Sequence, residues 1–282
     1  MMRRLDFAHY LAKKYMRTEM LPHAFCPGCG IGIIQRAVLM AFEELGEEEW
    51  NRTVFVSGIG CSGWTPTYFR RDAIHALHGR ALPLATGIKL ARPDLNVVVF
   101  MGDGDSMAIG GNHLIHAARR NIGITSIVVN NMIYSLTGGQ LAPTTPMYSY
   151  TNTSPYGNIE PNFDLIELMK ASGATYLARW TTWHFIQLKN SVKKAIKHKG
   201  FSVIEVISQC PTYTGRYILR KPDPRDYMQW MKDNSVLFDV AKEMDKKELE
   251  GKIVVGEFLD RDDRPEFSEL YWSLIKKKEV EA

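Results

Sequence analysis

The sequence predicts an α/β protein built on a doubly wound parallel sheet. Three observations carry that reading. Short apolar runs alternate with longer stretches whose apolar residues recur at helical spacing, the pattern of repeated β-α-β units. Two of the runs, 97–100 and 127–129, end in polar turns whose Asp103 and Asn131 lie 28 positions apart. That is the length of one β-α-β unit, so both turns belong at the carboxyl edge of neighbouring parallel strands. Finally, the chain of 282 residues is long enough for one large core, or one core with an appendage.

The elements follow in order. Residues 1–25 read as a polar helix and then a lead-in ending at Pro22, His23, Ala24 and Phe25. Residues 30–45 carry apolar side chains at helical spacing and stop at Gly46. Residues 53–57, Thr-Val-Phe-Val-Ser, form a first strand that runs into Gly58, Ile59, Gly60 and Cys61. A helix over 81–90 leads into the β-α-β unit, whose own helix spans 108–120. Residues 136–161 are rich in Thr, Pro, Gly, Tyr and Asn, and a structureless loop of this length is a functional lid or a partner-binding loop. A helix over 164–171, a short strand over 175–178, a helix over 183–197 and a strand over 201–208 complete the alternation. Residues 1–210 are thus expected as one α/β domain. From Pro211 the pattern changes to polar loops and short segments, expected as an irregular C-terminal extension over 211–282 that wraps a partner or the cysteine site described below. No internal repeat or low-complexity linker interrupts the chain.

Composition is ordinary for a soluble globular protein, 45% apolar and 23% charged. No apolar run approaches the roughly 20 residues that span a bilayer, so no membrane partner is expected. The start, Met1-Met-Arg-Arg-Leu-Asp6, has no apolar region after its charges and does not read as a secretory signal; a cytoplasmic location is expected. The formal charge of +4 is mild. Lys193, Lys194, Lys197, His198 and Lys199 fall on a helix and read as its solvated face, so no nucleic-acid partner is expected.

The two turns carry the chemistry. Oxygen ligands from Asp103 and Asn131 meeting at one sheet edge suit Mg²⁺, which takes few protein ligands and leaves its other positions to water and phosphates. Glycines at 102 and 104 let backbone approach a phosphate closely. A GDG turn alone is an ordinary strand end; joined to NN at the end of the next strand, it reads as a diphosphate clamped through magnesium. Taken together, GDG at 102–104 and NN at 130–131 resemble the signature of thiamine-diphosphate enzymes. The resemblance implies that Asp103, Asn131 and the Ile133 carbonyl hold Mg²⁺. Such enzymes need a second module, for the aminopyrimidine, and each module takes roughly 150–200 residues. Only one fits here. The glutamate that activates the cofactor is therefore expected from a partner subunit, and no catalytic side chain is assigned to this chain.

The four cysteines stand at 26, 29, 61 and 210. Cys26 and Cys29 form a CxxC at a helix start, while Cys61 and Cys210 each follow a strand, so all four can converge at the edge that carries the turns. A Cys₄ zinc site usually comes as two local pairs, and only one is local here. A dithiol redox pair leaves Cys61 and Cys210 unexplained. A [4Fe–4S] cluster takes a CxxC with distant ligands. Four unrelated buried cysteines are the plain alternative, and disulfides are disfavoured without an export signal.

A longer resemblance bears on this choice. CPGCG (26–30), GIGCS (58–62), HGRALPLATG (78–87), GDGDSMAIGGNHLIHAARRNI (102–122), NNMIYSLTGGQLAPTTP (130–146) and SQCPT (208–212) resemble the β subunit of 2-oxoacid:ferredoxin oxidoreductases, in order, over about residues 22–215. That family places one [4Fe–4S] cluster on the cysteines corresponding to Cys26, Cys29, Cys61 and Cys210. It also implies a cofactor pocket of Ile59, Gly60, Cys61, Ser62, His78, Gly79, Arg80, Gly102, Asp103, Gly104, Asp105, Asn131, Ile133, Tyr134, Ser135 and Leu136. His78 and Arg80 read equally well as a core histidine and a structural ion pair. His113 and His116 read as packing or surface residues, and Trp180 and Trp183 as core or interface anchors.

The implied activity is thiamine-dependent oxidative decarboxylation of a 2-oxoacid, with electrons passing through the cluster to ferredoxin and coenzyme A accepting the acyl group. The segment 134–146 is most similar to the 2-oxoglutarate branch, which yields succinyl-CoA and CO₂; branched-chain enzymes share much of it. Some relatives have a substrate-binding lysine where Gly138 stands, so carboxylate contacts are expected from the partner. The implied partners are an α subunit with the pyrimidine module, ferredoxin and small ferredoxin-like subunits. The other reading is a non-oxidative thiamine-dependent decarboxylase or synthase subunit with structural zinc. An electron-carrying or assembly module without catalysis is a third.

Overall fold

The computed structural model describes residues 9–281, and the expected first helix turn and charged start at 1–8 lie outside the described residues. In chain order the elements are α1 (Tyr10–Tyr15), α2 (Ile31–Leu45), α3 (Glu47–Asn51), β1 (Thr53–Ser57), β2 (Asp72–His75), α4 (Ala81–Ala91), β3 (Asn96–Gly102), α5 (Gly111–Arg120), β4 (Ile124–Asn130), α6 (Leu165–Ser172), β5 (Tyr176–Thr181), α7 (Phe185–Lys197) and β6 (Ser202–Ile207). After Cys210 come α8 (Pro224–Asn234), β7 (Ser235–Leu237), α9 (Phe238–Ala241), β8 (Ile253–Asp260) and α10 (Phe267–Glu281).

The strands form a sheet in the order β2-β1-β3-β4-β6-β5-β8-β7. All pairings are parallel except β5 with β8. β3 and β4 are neighbours in parallel register, with Gly102 opposite Val129. The Asp103 and Asn131 turns therefore leave the same edge side by side, as the sequence spacing predicts.

Alternation along β3 shows how one strand serves two layers. Val98 and Phe100 pack with α2 and α7, while Val97, Val99 and Met101 pack with α4, α5 and α6. On the first face the rings of Phe42, Trp50, Phe55, Phe69 and Phe100 interlock, mostly edge to face. Burying each such ring contributes about 1.5–3 kcal/mol. The chain starts with α2 on the first face, crosses to the second for α4, α5 and α6, and crosses back for α7. It proceeds from β1 to β5 with α4, α5 and α6 on one side, skips one position, and returns through α7 to insert β6 between β4 and β5. That reversal opens a crevice at the carboxyl ends of β4 and β6, the place where such sheets bind ligands.

The basic stretch is an ion-paired surface face, with Lys193, Lys194 and Lys197 on α7 and His198 and Lys199 just past its end. Lys193 pairs with Glu44, Lys194 with Glu257 and Asp260, and Lys199 with Glu269. Among the described residues, no helix is long and apolar enough to cross a membrane.

One expectation needs correction. The stretch from Pro211 is not irregular: it supplies three helices and two strands, and β8 joins the main sheet against β5. Its pattern was hard to read because β8 carries Gly256 and Glu257 and pairs across a register shift at Leu177/Ala178. Glu257 is held there by Tyr176 Oη at 2.8 Å and by Lys194. The turn over Pro211–Ile218 and α8 still reach the cysteine region, where Pro224 lies against Gly28.

Candidate functional site

At the carboxyl edge of β1, β3 and β4 lies a cavity of about 140 Å³. It is lined by Ile59, Gly60, Cys61 and Ser62 after β1, His78 before α4, Gly102 to Asp105 after β3, and Asn131, Ile133, Tyr134, Ser135 and Leu136 after β4. Two predicted residues stand back from it. Gly79 lends its N–H to Asp105 Oδ1 at 2.7 Å, and its φ of +69° suits glycine. Arg80 is exposed, and its guanidinium donates to the Ile109 carbonyl at 3.1 Å, so it braces a loop outside the cavity.

Asp103 is buried, 3% exposed. Its oxygens accept only neutral donors, the Gly104 N–H at 2.8 Å and the Thr144 hydroxyl at 2.8 Å. Burial pushes its carboxyl up to about 6. Asp105 works differently. Its Oδ1 takes the Gly79 and Ile59 N–H groups and lies 2.6 Å from His78 Nδ1, tying three loops together. His78 is thus a brace at the cavity wall. At Gly104 a Cβ would fall 2.1 Å from the Tyr134 ring, so a larger residue would displace that ring from the cavity wall.

The two asparagines divide the labour. Asn130 is buried; its Nδ2 donates to Glu205 Oε1 at 2.7 Å and its Oδ1 accepts the Met132 N–H at 3.1 Å. Met132 is held at φ +64°, a conformation that β-carbon-bearing residues rarely adopt. Thr145 fixes the same turn by donating to the Met132 carbonyl at 2.7 Å. Asn131 and Ile133 are left at the cavity wall.

A second cavity, about 250 Å³, adjoins the first and is lined by all four cysteines, Cys26, Cys29, Cys61 and Cys210. All are free thiols. The CxxC loop closes on itself through the Cys29 N–H to the Cys26 carbonyl at 3.0 Å, and the Gly30 N–H bonds the Gln209 carbonyl at 3.0 Å. That second bond pins the start of α2 to the end of β6. At Gly30 a Cβ would fall 2.3 Å from Ser208 Oγ. Burial pushes the Cys29 thiol up to about 12 and the Cys61 thiol to about 11, and neighbouring cysteines push the same way. Among the described residues no three His, Cys, Asp or Glu side chains gather closely enough for a single metal ion. Asn131, Ser135, Leu136 and Cys61 line both cavities.

Comparison with known proteins agrees with this geometry. Residues 58–206 match the family described as thiamine pyrophosphate enzyme, C-terminal TPP binding domain. The 2-oxoglutarate synthase subunit KorB of Methanocaldococcus jannaschii is 55% identical over 96% of this chain and 99% of its own. Subunit beta of 2-oxoacid:ferredoxin oxidoreductase 2 from Aeropyrum pernix is 38% identical over 90% and 81%. The chain belongs to the β-subunit family of 2-oxoacid:ferredoxin oxidoreductases. Its fold also matches a 2-oxoglutarate:ferredoxin oxidoreductase from Magnetococcus marinus, solved with 2-oxoglutarate, coenzyme A and succinyl-CoA bound, with a TM-score of 0.83 and 32% identity over 94% of this chain and 90% of that one.

The residues fit the groups that this oxidoreductase family implies. Asp103 is a buried carboxylate without a compensating cation, a setting that favours a bound metal. Ser62 Oγ is buried at the wall of the first cavity with no hydrogen-bond partner, a donor suited to a phosphate oxygen. Thiols spread around a cavity, and not gathered at a point, suit a polynuclear cluster better than one zinc ion.

Sequence reasoning missed three supports of this oxidoreductase site. Thr144 donates to Asp103, Glu205 anchors Asn130, and Arg179 Nε holds Glu205 at 2.5 Å while its Nη2 reaches Asp164 at 2.7 Å. Thr144 falls inside a motif that resembled the family, so its position was marked but its contact was not. The charge at 205, in an otherwise apolar strand, was the available signal for the other two. A larger cavity of about 550 Å³ lies beside the site, walled by Asn130, Thr144, Arg179 and Glu205. Its buried ions are already paired with each other. Of the remaining assignments, Trp180 is buried with its N–H on Ser191, Trp183 is exposed, and His113 and His116 lie on the outer part of α5.

Proposed function

We propose that this chain is the diphosphate-binding β subunit of a heteromeric 2-oxoglutarate:ferredoxin oxidoreductase, carrying thiamine diphosphate, Mg²⁺ and one [4Fe–4S] cluster. The observation that carries the reading is the wall shared by the two cavities, which sets four thiols beside the diphosphate turns. Asp103, Asn131 and the Ile133 carbonyl would hold Mg²⁺, and Cys26, Cys29, Cys61 and Cys210 the cluster. Gly102, Gly104, Ser62 and Ser135 would line the phosphates. When bound, thiamine diphosphate supplies the carbon nucleophile for decarboxylation and the cluster accepts electrons one at a time. The protein's own task is placement. Glu205 and Asn130 fix the turn that would hold the metal, Asp105 fixes the loops around it, and the thiol cavity shares a wall with the diphosphate cavity.

Relatives named as 2-oxoglutarate synthase subunits, at 50–55% identity, support 2-oxoglutarate over branched-chain 2-oxoacids. Gly138 has φ +115°, which disfavours a lysine there and supports carboxylate recognition by the partner subunit. The test is anaerobic purification of the chain with its partner, followed by visible and EPR spectra before and after adding 2-oxoglutarate with coenzyme A. Bleaching of an iron–sulfur band with a reduced-cluster or radical signal is expected. A response only to branched-chain 2-oxoacids would change the substrate, and a colourless zinc protein would sink the cluster.

A further inference from the structure

Ser135 sits where the two cavities meet. Its Oγ accepts from Asn131 Nδ2 at 3.0 Å and lies 3.3 Å from Cys210 Sγ and 3.5 Å from the Ile133 carbonyl. A hydroxyl has a single proton to give. With Asn131 donating to the oxygen, that proton is available for either the sulfur or the carbonyl. The sulfur is nearer, and as an iron-bound thiolate it carries negative charge, which makes it the stronger acceptor. Among the described residues no other side chain hydrogen-bonds a cysteine sulfur. Cys210 is buried at 7% exposure, where such a bond is poorly screened.

We propose that the Ser135 hydroxyl donates to the Cys210 thiolate and raises the reduction potential of the cluster, with the Asn131 amide fixing its direction. The inference rests on the cluster reading above and goes beyond it by giving Ser135 a second task besides lining the phosphates. The physical argument is differential. Reduction adds one negative charge to the cluster and its thiolates, so a donor to a ligand sulfur stabilises the reduced state more than the oxidised one. The same chain of atoms, from Asn131 through Ser135 to Cys210, joins the proposed metal turn to the proposed electron acceptor. Ser135 is accordingly a positioning and tuning residue for electron transfer.

The experiment is an EPR-monitored redox titration of the assembled complex carrying Ser135→Ala, Ser135→Gly or Ser135→Thr, with iron and sulfide assayed in each. Both hydroxyl-free variants should keep the cluster and lose roughly tenfold in its reduction equilibrium constant, about 59 mV downward for one electron. The threonine variant, which keeps the hydroxyl, should titrate with the wild type. Hydroxyl-free variants with an intact cluster and an unmoved midpoint would overturn the proposal, as would a threonine variant that falls with them. Wild-type complex without iron and sulfide would instead defeat the cluster reading itself, a result distinct from an unmoved midpoint.

Discussion

At the scale of single residues, Asp103 concentrates the chemistry and Thr144 protects it. The Thr144 hydroxyl holds one carboxylate oxygen at 2.8 Å, which leaves the group oriented towards the cavity. Partners that orient a metal ligand typically set its affinity, so Thr144→Val should weaken Mg²⁺ by roughly 10–100-fold with little loss of fold. Mg²⁺ titration monitored by thiamine diphosphate binding measures it, and an unchanged affinity would remove Thr144 from the site. The charge state has its own consequence. Burial raises the Asp103 carboxyl from 3.8 to about 6. A folded-state value above the unfolded one contributes stability at low pH that is lost as pH rises through about 6. The metal-free chain should therefore lose thermal stability between about pH 4 and about pH 6, and Asp103→Asn should flatten that part of the profile. A profile that the substitution leaves unchanged would mean that Asp103 is not buried uncompensated. Much of this site was legible in the sequence because GDG and NN are local patterns with fixed spacing. Arg80 was not, because a guanidinium on a long flexible stem can serve a cavity or a loop carbonyl from the same backbone position. Thr144 was not, because its contact spans 41 residues and depends on how a loop without regular structure folds back.

At the scale of elements, β6 is the strand that supports the turn at Asn130, and its Glu205 makes it unusual. The carboxylate is 2% exposed in the middle of the sheet, facing Arg179 from β5 and Asn130 from β4. Removing one member of such a pair leaves a buried uncompensated charge, which costs about 3–5 kcal/mol. Arg179→Met should lower unfolding stability by that amount, and adding Glu205→Met should recover much of it while still disordering the Asn130 turn. Chemical denaturation of the two variants decides this; equal stability of Arg179→Met and wild type would show that Glu205 is protonated or solvated. The core elements were legible because each carries its own period, as in β1, which the sequence bounded at the residues observed. Strands β2, β7 and β8 were not. β2 is exposed along its whole length and has no alternation to reveal it, β7 has three residues, and β8 is stabilised by a partner strand far away in sequence. In all three, tertiary pairing decided what local pattern did not.

At the scale of the whole molecule, the first cavity opens among apolar side chains that this chain does not cover. Leu77 is 77% exposed and precedes His78, Ile109 is 48% exposed beside Gly79, and Leu136 is 51% exposed on the wall of both cavities. The long loop that follows adds Tyr156 at 97% and Ile159 at 81%. Exposed apolar groups beside a site mark a surface that another chain covers, and the proposed α subunit with the pyrimidine module would cover Leu77, Ile109 and Leu136. On this proposal the diphosphate half alone leaves its cofactor unactivated. Deprotonation at C2 needs a carboxylate beside the aminopyrimidine, expected from the partner, and a positioned acid–base group contributes about 10²–10⁴-fold. Exchange of the thiamine C2 proton for deuterium, followed by NMR, should run at the free-cofactor rate with this chain, Mg²⁺ and thiamine diphosphate alone. It should accelerate by about that factor once the partner is added. Fast exchange on the isolated chain would mean that an activating group lies within it, with Asp105 the first carboxylate to substitute, since it is the other acidic side chain lining the cavity. Slow exchange in both states would mean that the partner supplies surface without the activating group, and the division of labour between the two subunits would have to be drawn elsewhere.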